Sequence, residues 1–294
     1  QFQVPAGQGT YSGRLEDDGE RLTGNWTRPG FPDVDLVFTR TSQVVVEAYR
    51  PQTPQAPFPY EIREVRIDNP DAQDVTLAGT LTLPQGDGPH PAVILISGSG
   101  PQDRDESVWE HKPFAVLSDH LSRNGIAVLR YDDRGFAEST GDFATATSRD
   151  FASDALAALA WLSRQPLIDG ASTGVIGHSE GGLIAPMMGQ SADAPDFMVL
   201  LAGPGTSGRD IILEQTGLMA RASGQSETDI APALDTLAEL TEALLAAPDG
   251  AAARTRLDEI VTADHLTALG VPVTRRLKIR ACNYENRCGG WSST

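Results

Sequence analysis

Gly177-His178-Ser179-Glu180-Gly181 has the G-x-S-x-G pattern that serine nucleophiles need. A serine hydroxyl attacks a carbonyl only when it stands clear of the backbone and a base takes its proton. A sharp strand-to-helix bend provides the clearance. The flanks match such a bend. The apolar run Gly174-Val175-Ile176 reads as a buried strand ending at the motif, and Leu183, Ile184 and Met187 then repeat at helical spacing. Gly177 and Gly181 carry no Cβ where strand and helix fold back on each other, so Ser179 is the candidate nucleophile.

Attack by Ser179 places negative charge on the carbonyl oxygen, and two backbone N–H groups must receive it. The Glu180 N–H, just after the nucleophile, is one candidate. The glycine-rich stretch Ser97-Gly98-Ser99-Gly100, at the end of another apolar run, offers the second, from Ser99. Charged residues of Gly98 to Glu106 and of Arg130 to Gly135 are expected at the same sheet edge, where open α/β folds collect ligands. There Asp132 or Asp133 with Arg134 is expected to pin a loop by a charge-assisted hydrogen bond. His111 and His120 read as packed or solvated histidines on the next helix. Only His265 follows Ser179, beside Asp264 in a predicted helix, and it is a weak candidate for the base.

Positioning these groups requires alternating strands and helices. Pro91–Ile96 and Ile126–Tyr131 are continuous apolar runs of the kind buried parallel strands show. Between them Phe114, Leu117 and Leu121 keep helical spacing, with Pro113 in the first turn and Asn124-Gly125 as a stop. Ser148 is the expected cap of a helix carrying Phe151, Ala155, Leu159 and Leu162 on one face. Strands at Val65–Ile67 and Val75–Leu83 precede this pattern, and Phe197–Ala202 closes it. The fold class is α/β, a sheet with helices on both faces.

The organisation expected along the chain starts with a small partial β module over 1–45, with strands at Tyr11–Leu15, Leu22–Trp26 and Asp35–Thr39. A Pro-rich linker follows over 46–60 and the α/β core over 61–204. Residues 205–268 are expected to be a helical cap, in which Ile230, Leu234, Leu237, Thr241 and Leu244 mark one helix and Ala251–Leu266 another. Residues 269–294 form an unassigned tail with clustered cations (Arg275, Arg276, Lys278, Arg280, Arg287) and no strand or helix period. Cys282 and Cys288 lie in it and read as incidental, since one pair makes neither a disulfide framework nor a four-ligand zinc site.

Composition narrows the partners. Asp plus Glu outnumber Lys plus Arg 40 to 23, for a net charge of −17, which argues against a polyanionic nucleic acid. No apolar stretch approaches the roughly 18 residues that span a bilayer.

Four motifs, Ser97 to Glu106, His111-Lys112-Pro113-Phe114, Leu129 to Gly135 and Gly177 to Gly182, together resemble the α/β-hydrolase fold carboxylesterases near the dienelactone-hydrolase-like and peptidase-like branch. The resemblance runs from about Glu61 to about Leu269 and implies a serine esterase whose partner is a small-molecule short acyl ester, with no cofactor and no metal. Many members are exported with a small β module ahead of the hydrolase, and residues 9–41 resemble the tail end of such a module, so the resemblance points to a secreted or periplasmic protein. Two departures stand out. Ala137 occupies a position where the family usually has a second glycine, and the two strands that carry the acid and the histidine after the cap are not found. A C-terminal truncation or a shifted reading frame is therefore expected. Three readings stay open: an active carboxylesterase; a hydrolase-like scaffold lacking acid and base that self-associates through the sheet edge left after Phe197–Ala202; and, in the same enzyme class as the first, a peptidase or lactone hydrolase.

Overall fold

The computed structural model describes residues 2–4, 9–17, 19–28, 31–40, 50–248, 250–262 and 264–265. Its first element is an antiparallel four-stranded sheet, in the order β1 (Phe2–Val4), β2 (Gly9–Leu15), β3 (Arg21–Arg28), β4 (Phe31–Thr39). Its anchor is Tyr11, 1% exposed, whose hydroxyl donates to the carbonyls of Leu22 and Leu36 at 3.0 and 3.2 Å. The ring lies across Gly13 and Gly24, where any Cβ would strike it, and meets Phe38 edge-on. The sequence expected three of these strands. β1 is too short for an alternation to register.

The second sheet has six strands in the order β10-β9-β7-β8-β6-β5. They are β5 (Glu61–Asp68), β6 (Thr76–Leu83), β7 (His90–Ile96), β8 (Ala127–Tyr131), β9 (Ile168–His178) and β10 (Phe197–Leu201). β7 to β10 pair in parallel, while β6 runs antiparallel to both β5 and β8. The continuous apolar character of β7 follows from burial on both faces. Ala92, Ile94 and Ile96 enter one cluster, and Val93 and Leu95 enter the other. Helix α1 (Pro113–Arg123) covers the face of Val93 and Leu95, with Phe114 in that cluster. Helices α2 (Ser148–Leu162) and α3 (Gly181–Met188) cover the opposite face through Leu159, Leu162, Ile184 and Met188.

The cap of α2 differs from expectation. Thr147 is the N-cap, and the Asp150 carboxylate accepts from both its backbone N–H and its hydroxyl, at 2.8 and 2.6 Å. Ser148 instead donates its hydroxyl to the Glu180 carboxylate at 2.8 Å, tying the start of α2 to the elbow. A capping box needs an acid three residues on; Thr147 has one in Asp150, and Ser148 has Phe151.

The chain divides into two units, Gln1–Gly203 and Pro204–Thr294. The second consists of α4 (Gly208–Ala222), α5 (Glu227–Leu245) and α6 (Gly250–Ile260), with α5 packed against both others. The Ser207 hydroxyl accepts from the Asp210 N–H and caps α4, an element the sequence reading did not resolve. The tail and both cysteines lie outside the described residues.

Candidate active site

The elbow forms because local sterics leave it one shape. β9 ends at His178, α3 begins at Gly181, and Ser179 between them has φ +52°, a left-handed conformation that costs a residue with a Cβ about 1–3 kcal/mol. A Cβ on Gly177 would lie 2.1 Å from the Gly181 carbonyl oxygen, and one on Gly181 would lie 2.2 Å from that of Ile96. Only glycine fits at either place. The strain is held from outside, since the Ser179 N–H donates to the Leu201 carbonyl at 2.9 Å, at the end of β10.

The glycine-rich loop after β7 passes directly beside the serine. A Cβ built on Gly98 would sit 3.2 Å from Ser179 Cβ, 3.3 Å from Glu106 Oε1 and 3.4 Å from His178 Nδ1. The Gly98 N–H is already used: it donates to Glu106 Oε1 at 2.7 Å. Among the described residues, the N–H groups of Ser99 and Glu180 have no hydrogen-bond partner.

Acidic side chains hold this loop. Asp133 accepts from the Ser97 hydroxyl at 2.9 Å and the Gln102 N–H at 2.8 Å. Burial pushes its carboxyl up to about 7; the two hydrogen bonds oppose that rise, and the nearby carboxylates of Asp154 and Asp132 add to it. Asp132 accepts from the Arg104 N–H and guanidinium. The expected pairing of Asp132 or Asp133 with Arg134 is corrected: Arg134 instead forks onto Asp154 of α2 at 2.6 and 2.8 Å. Side chains on successive residues of extended backbone leave it in different directions, so near neighbours in sequence serve different partners. The next turn holds Ala137 at φ +46°, a left-handed position that glycine would take without strain.

Four of the five histidines, His90, His111, His120 and His178, lie in the first unit with Ser179, and among its described residues none of them hydrogen-bonds to the serine. His111 precedes α1 rather than lying on it, and its Nδ1 pairs with the Gln52 amide. His120 is on α1. His265 takes its partners within the second unit: Nε2 is 3.4 Å from Glu239, and Nδ1 accepts from the Thr262 N–H. Asp264, its sequence neighbour, is not the carboxylate it meets. His178, the x of the motif, pairs through Nδ1 with Glu106 at 2.7 Å, a contact across 72 positions that the sequence reading missed. The nearest sequence signal was the density of acids from Asp103 to Glu106.

A pocket lined by Ser97, Gly98, Asp133, Phe143, Phe151 and Glu180 lies behind the loop. Its volume is about 20 Å³, room for one water. Among the described residues no group of three or more His, Cys, Asp or Glu side chains is placed to hold a metal, and no helix is long and apolar enough to cross a membrane.

A six-stranded mixed sheet with helices on both faces and a left-handed serine on the bend after a parallel strand define an α/β-hydrolase domain. Residues 71–270 match the family described as X-Pro dipeptidyl-peptidase (S15 family), and the chain belongs to it. It is 34% identical over 148 residues to Esterase EstD of Thermotoga maritima, a match that takes in 49% of this chain and 35% of that protein. The chain therefore spans about a third of the length of this curated relative. Among solved structures, it resembles esterase Pf2001 of Pyrococcus furiosus (24% identity, 64% of this chain and 63% of that one, TM-score 0.44). It also resembles the α/β hydrolase GrgF of Penicillium sp. sh18 (21% identity, 55% and 54%, TM-score 0.42).

Proposed function

We propose that this chain is a serine hydrolase that cleaves short-acyl carboxylic esters through an acyl-enzyme on Ser179. The Ser179 hydroxyl attacks the ester carbonyl, the Ser99 and Glu180 N–H groups receive the oxyanion, the alcohol departs, and water then releases the acid. The observation that carries this reading is Ser179 at φ +52° beside the glycine-rich loop, with both proposed amides unpaired within the described residues. The likeness to Esterase EstD supports an ester over a peptide substrate, and no cofactor is needed for the chemistry.

The second reading is a hydrolase-like scaffold of weak or no activity. It draws on the partners that histidines of the first unit do take, His178 on Glu106 and His111 on Gln52, because a serine without its base keeps only what oxyanion stabilisation and binding supply. It includes self-association along β10, which pairs on one side with β9 and leaves Phe197, Val199, Leu200 and Leu201 exposed.

Hydrolysis of p-nitrophenyl acetate and butyrate by the purified chain, set against Ser179→Ala, tests the proposal. The expected result is hydrolysis that Ser179→Ala abolishes. Equal rates in the two proteins overturn it and leave the scaffold. An X-Pro p-nitroanilide, run in parallel, separates esterase from dipeptidyl-peptidase activity, and the ester is expected to be cleaved preferentially.

A further inference from the structure

We propose that Glu106 is a positioning residue that locks the oxyanion loop to the nucleophile elbow through a single carboxylate oxygen. The inference rests on the serine-hydrolase reading above. Glu106 Oε1 accepts from the Gly98 N–H at 2.7 Å and from His178 Nδ1 at 2.7 Å. Gly98 belongs to the loop that supplies one proposed oxyanion donor. His178 immediately precedes the nucleophile, so one oxygen holds both walls of the site at a fixed separation.

Several features show that this carboxylate is held in place. Glu106 is 5% exposed and has φ +52°, an uncommon conformation for a glutamate. The turn before it imposes that conformation: Glu106 N–H donates to the Asp103 carbonyl at 2.9 Å, and the Asp103 carboxylate accepts from the N–H groups of Asp105 and Ser107 at 3.0 Å each. Asp105 is anchored in turn by Arg130 and Lys112, and its carbonyl accepts from the Phe114 N–H at the start of α1. A strained, buried acid fixed on both sides, whose partners are two parts of one site, is a preorganising device. Because a carboxylate only accepts, the contact also sets the His178 tautomer with its proton on Nδ1.

Consuming the Gly98 N–H has a second consequence. With Gly98 turned toward Glu106, the next amide, that of Ser99, stays unpaired within the described residues, as an oxyanion donor must. Releasing Gly98 would let the loop rotate and misalign the donor. Misplacing one such donor costs about 10²-fold or more in kcat while leaving ground-state binding nearly unchanged.

The test compares Glu106→Ala, Glu106→Gln, His178→Ala and the double variant Glu106→Ala/His178→Ala for ester hydrolysis. The Gly98 amide resonance and the His178 ring nitrogens are followed by NMR in the same proteins. Glu106→Ala is expected to lower kcat about 10²-fold with KM within about 3-fold, and to move the Gly98 amide proton upfield. Glu106→Gln, which retains an acceptor oxygen, is expected to recover part of both. The double variant is expected to be no worse than Glu106→Ala, since both substitutions break one linkage. Unchanged kcat in Glu106→Ala, a loss confined to KM, or an unmoved Gly98 amide overturns the inference. If the wild type and Ser179→Ala hydrolyse esters equally, the serine-hydrolase reading falls, and the Gly98 and His178 resonances alone decide whether Glu106 joins loop to elbow.

Discussion

Arg134 and Asp154 form a buried fork: Nε meets Oδ2 at 2.6 Å and Nη2 meets Oδ1 at 2.8 Å, with both side chains less than 10% exposed. Asn69 Nδ2 adds a third donor to Asp154 at 2.7 Å, and the Asp150 carbonyl accepts from Arg134. The pair joins the loop after β8 to α2 beneath the candidate site. Asp154→Asn leaves the buried guanidinium only the half-exposed Asp150 carboxylate, 3.7 Å away, as counter-charge and is expected to cost about 3 kcal/mol in urea unfolding. Arg134→Lys cannot reproduce the fork and is expected to be clearly destabilising too. A loss below 1 kcal/mol in both would show that the pair contributes little.

Ala137 offers an improvement. At φ +46° its Cβ is strained, and glycine adopts that conformation freely. Ala137→Gly is expected to raise the unfolding free energy by about 0.5–1 kcal/mol, the relief of strain exceeding the added entropy of the unfolded chain. A lower urea midpoint in the variant would contradict this.

Asp133 predicts a pH dependence with a definite sign. Its carboxyl, pushed up to about 7 in the folded state by burial, titrates near 3.9 when unfolded, so the folded state holds the proton more tightly. The contribution is fully present below about pH 4, falls as pH rises toward 7 and is flat beyond. Its ceiling is about 4 kcal/mol at 1.36 kcal/mol per unit. Asp133→Asn is expected to lack this decline, so its stability relative to wild type rises between pH 4 and 7. Parallel pH profiles for the two proteins would refute the assignment.

Gly177→Ala places a Cβ 2.1 Å from the Gly181 carbonyl oxygen, and backbone cannot yield as a flexible side chain does. A loss of about 3 kcal/mol or more is expected, as for severe overpacking. Gly205→Ala, with nothing within 4 Å of the new Cβ, serves as control and is expected to stay within about 0.5 kcal/mol.

Much of the fold was legible because its signals are local. The apolar run of Pro91–Ile96, the Pro113 helix start and the Asn124-Gly125 stop each report a preference of a few neighbouring residues, and β7 and α1 follow them closely. Less was legible where two neighbours compete, as Thr147 and Ser148 do for the cap of α2, or where an element has little pattern, as in β1 and α4.

The residues of the elbow by themselves determined a strand-turn-helix with Ser179 at its bend, because glycine at 177 and 181 removes the clashes that forbid it within a span of five residues. Only the tertiary structure decided that Asp133 serves Ser97 and Gln102, that Arg134 serves Asp154, and that Glu106 meets both Gly98 and His178. Those pairings join residues up to 72 positions apart. A carboxylate accepts equally well from many donors, and which donor it meets depends on how the sheet orders its strands, a property of the whole chain that no short stretch encodes.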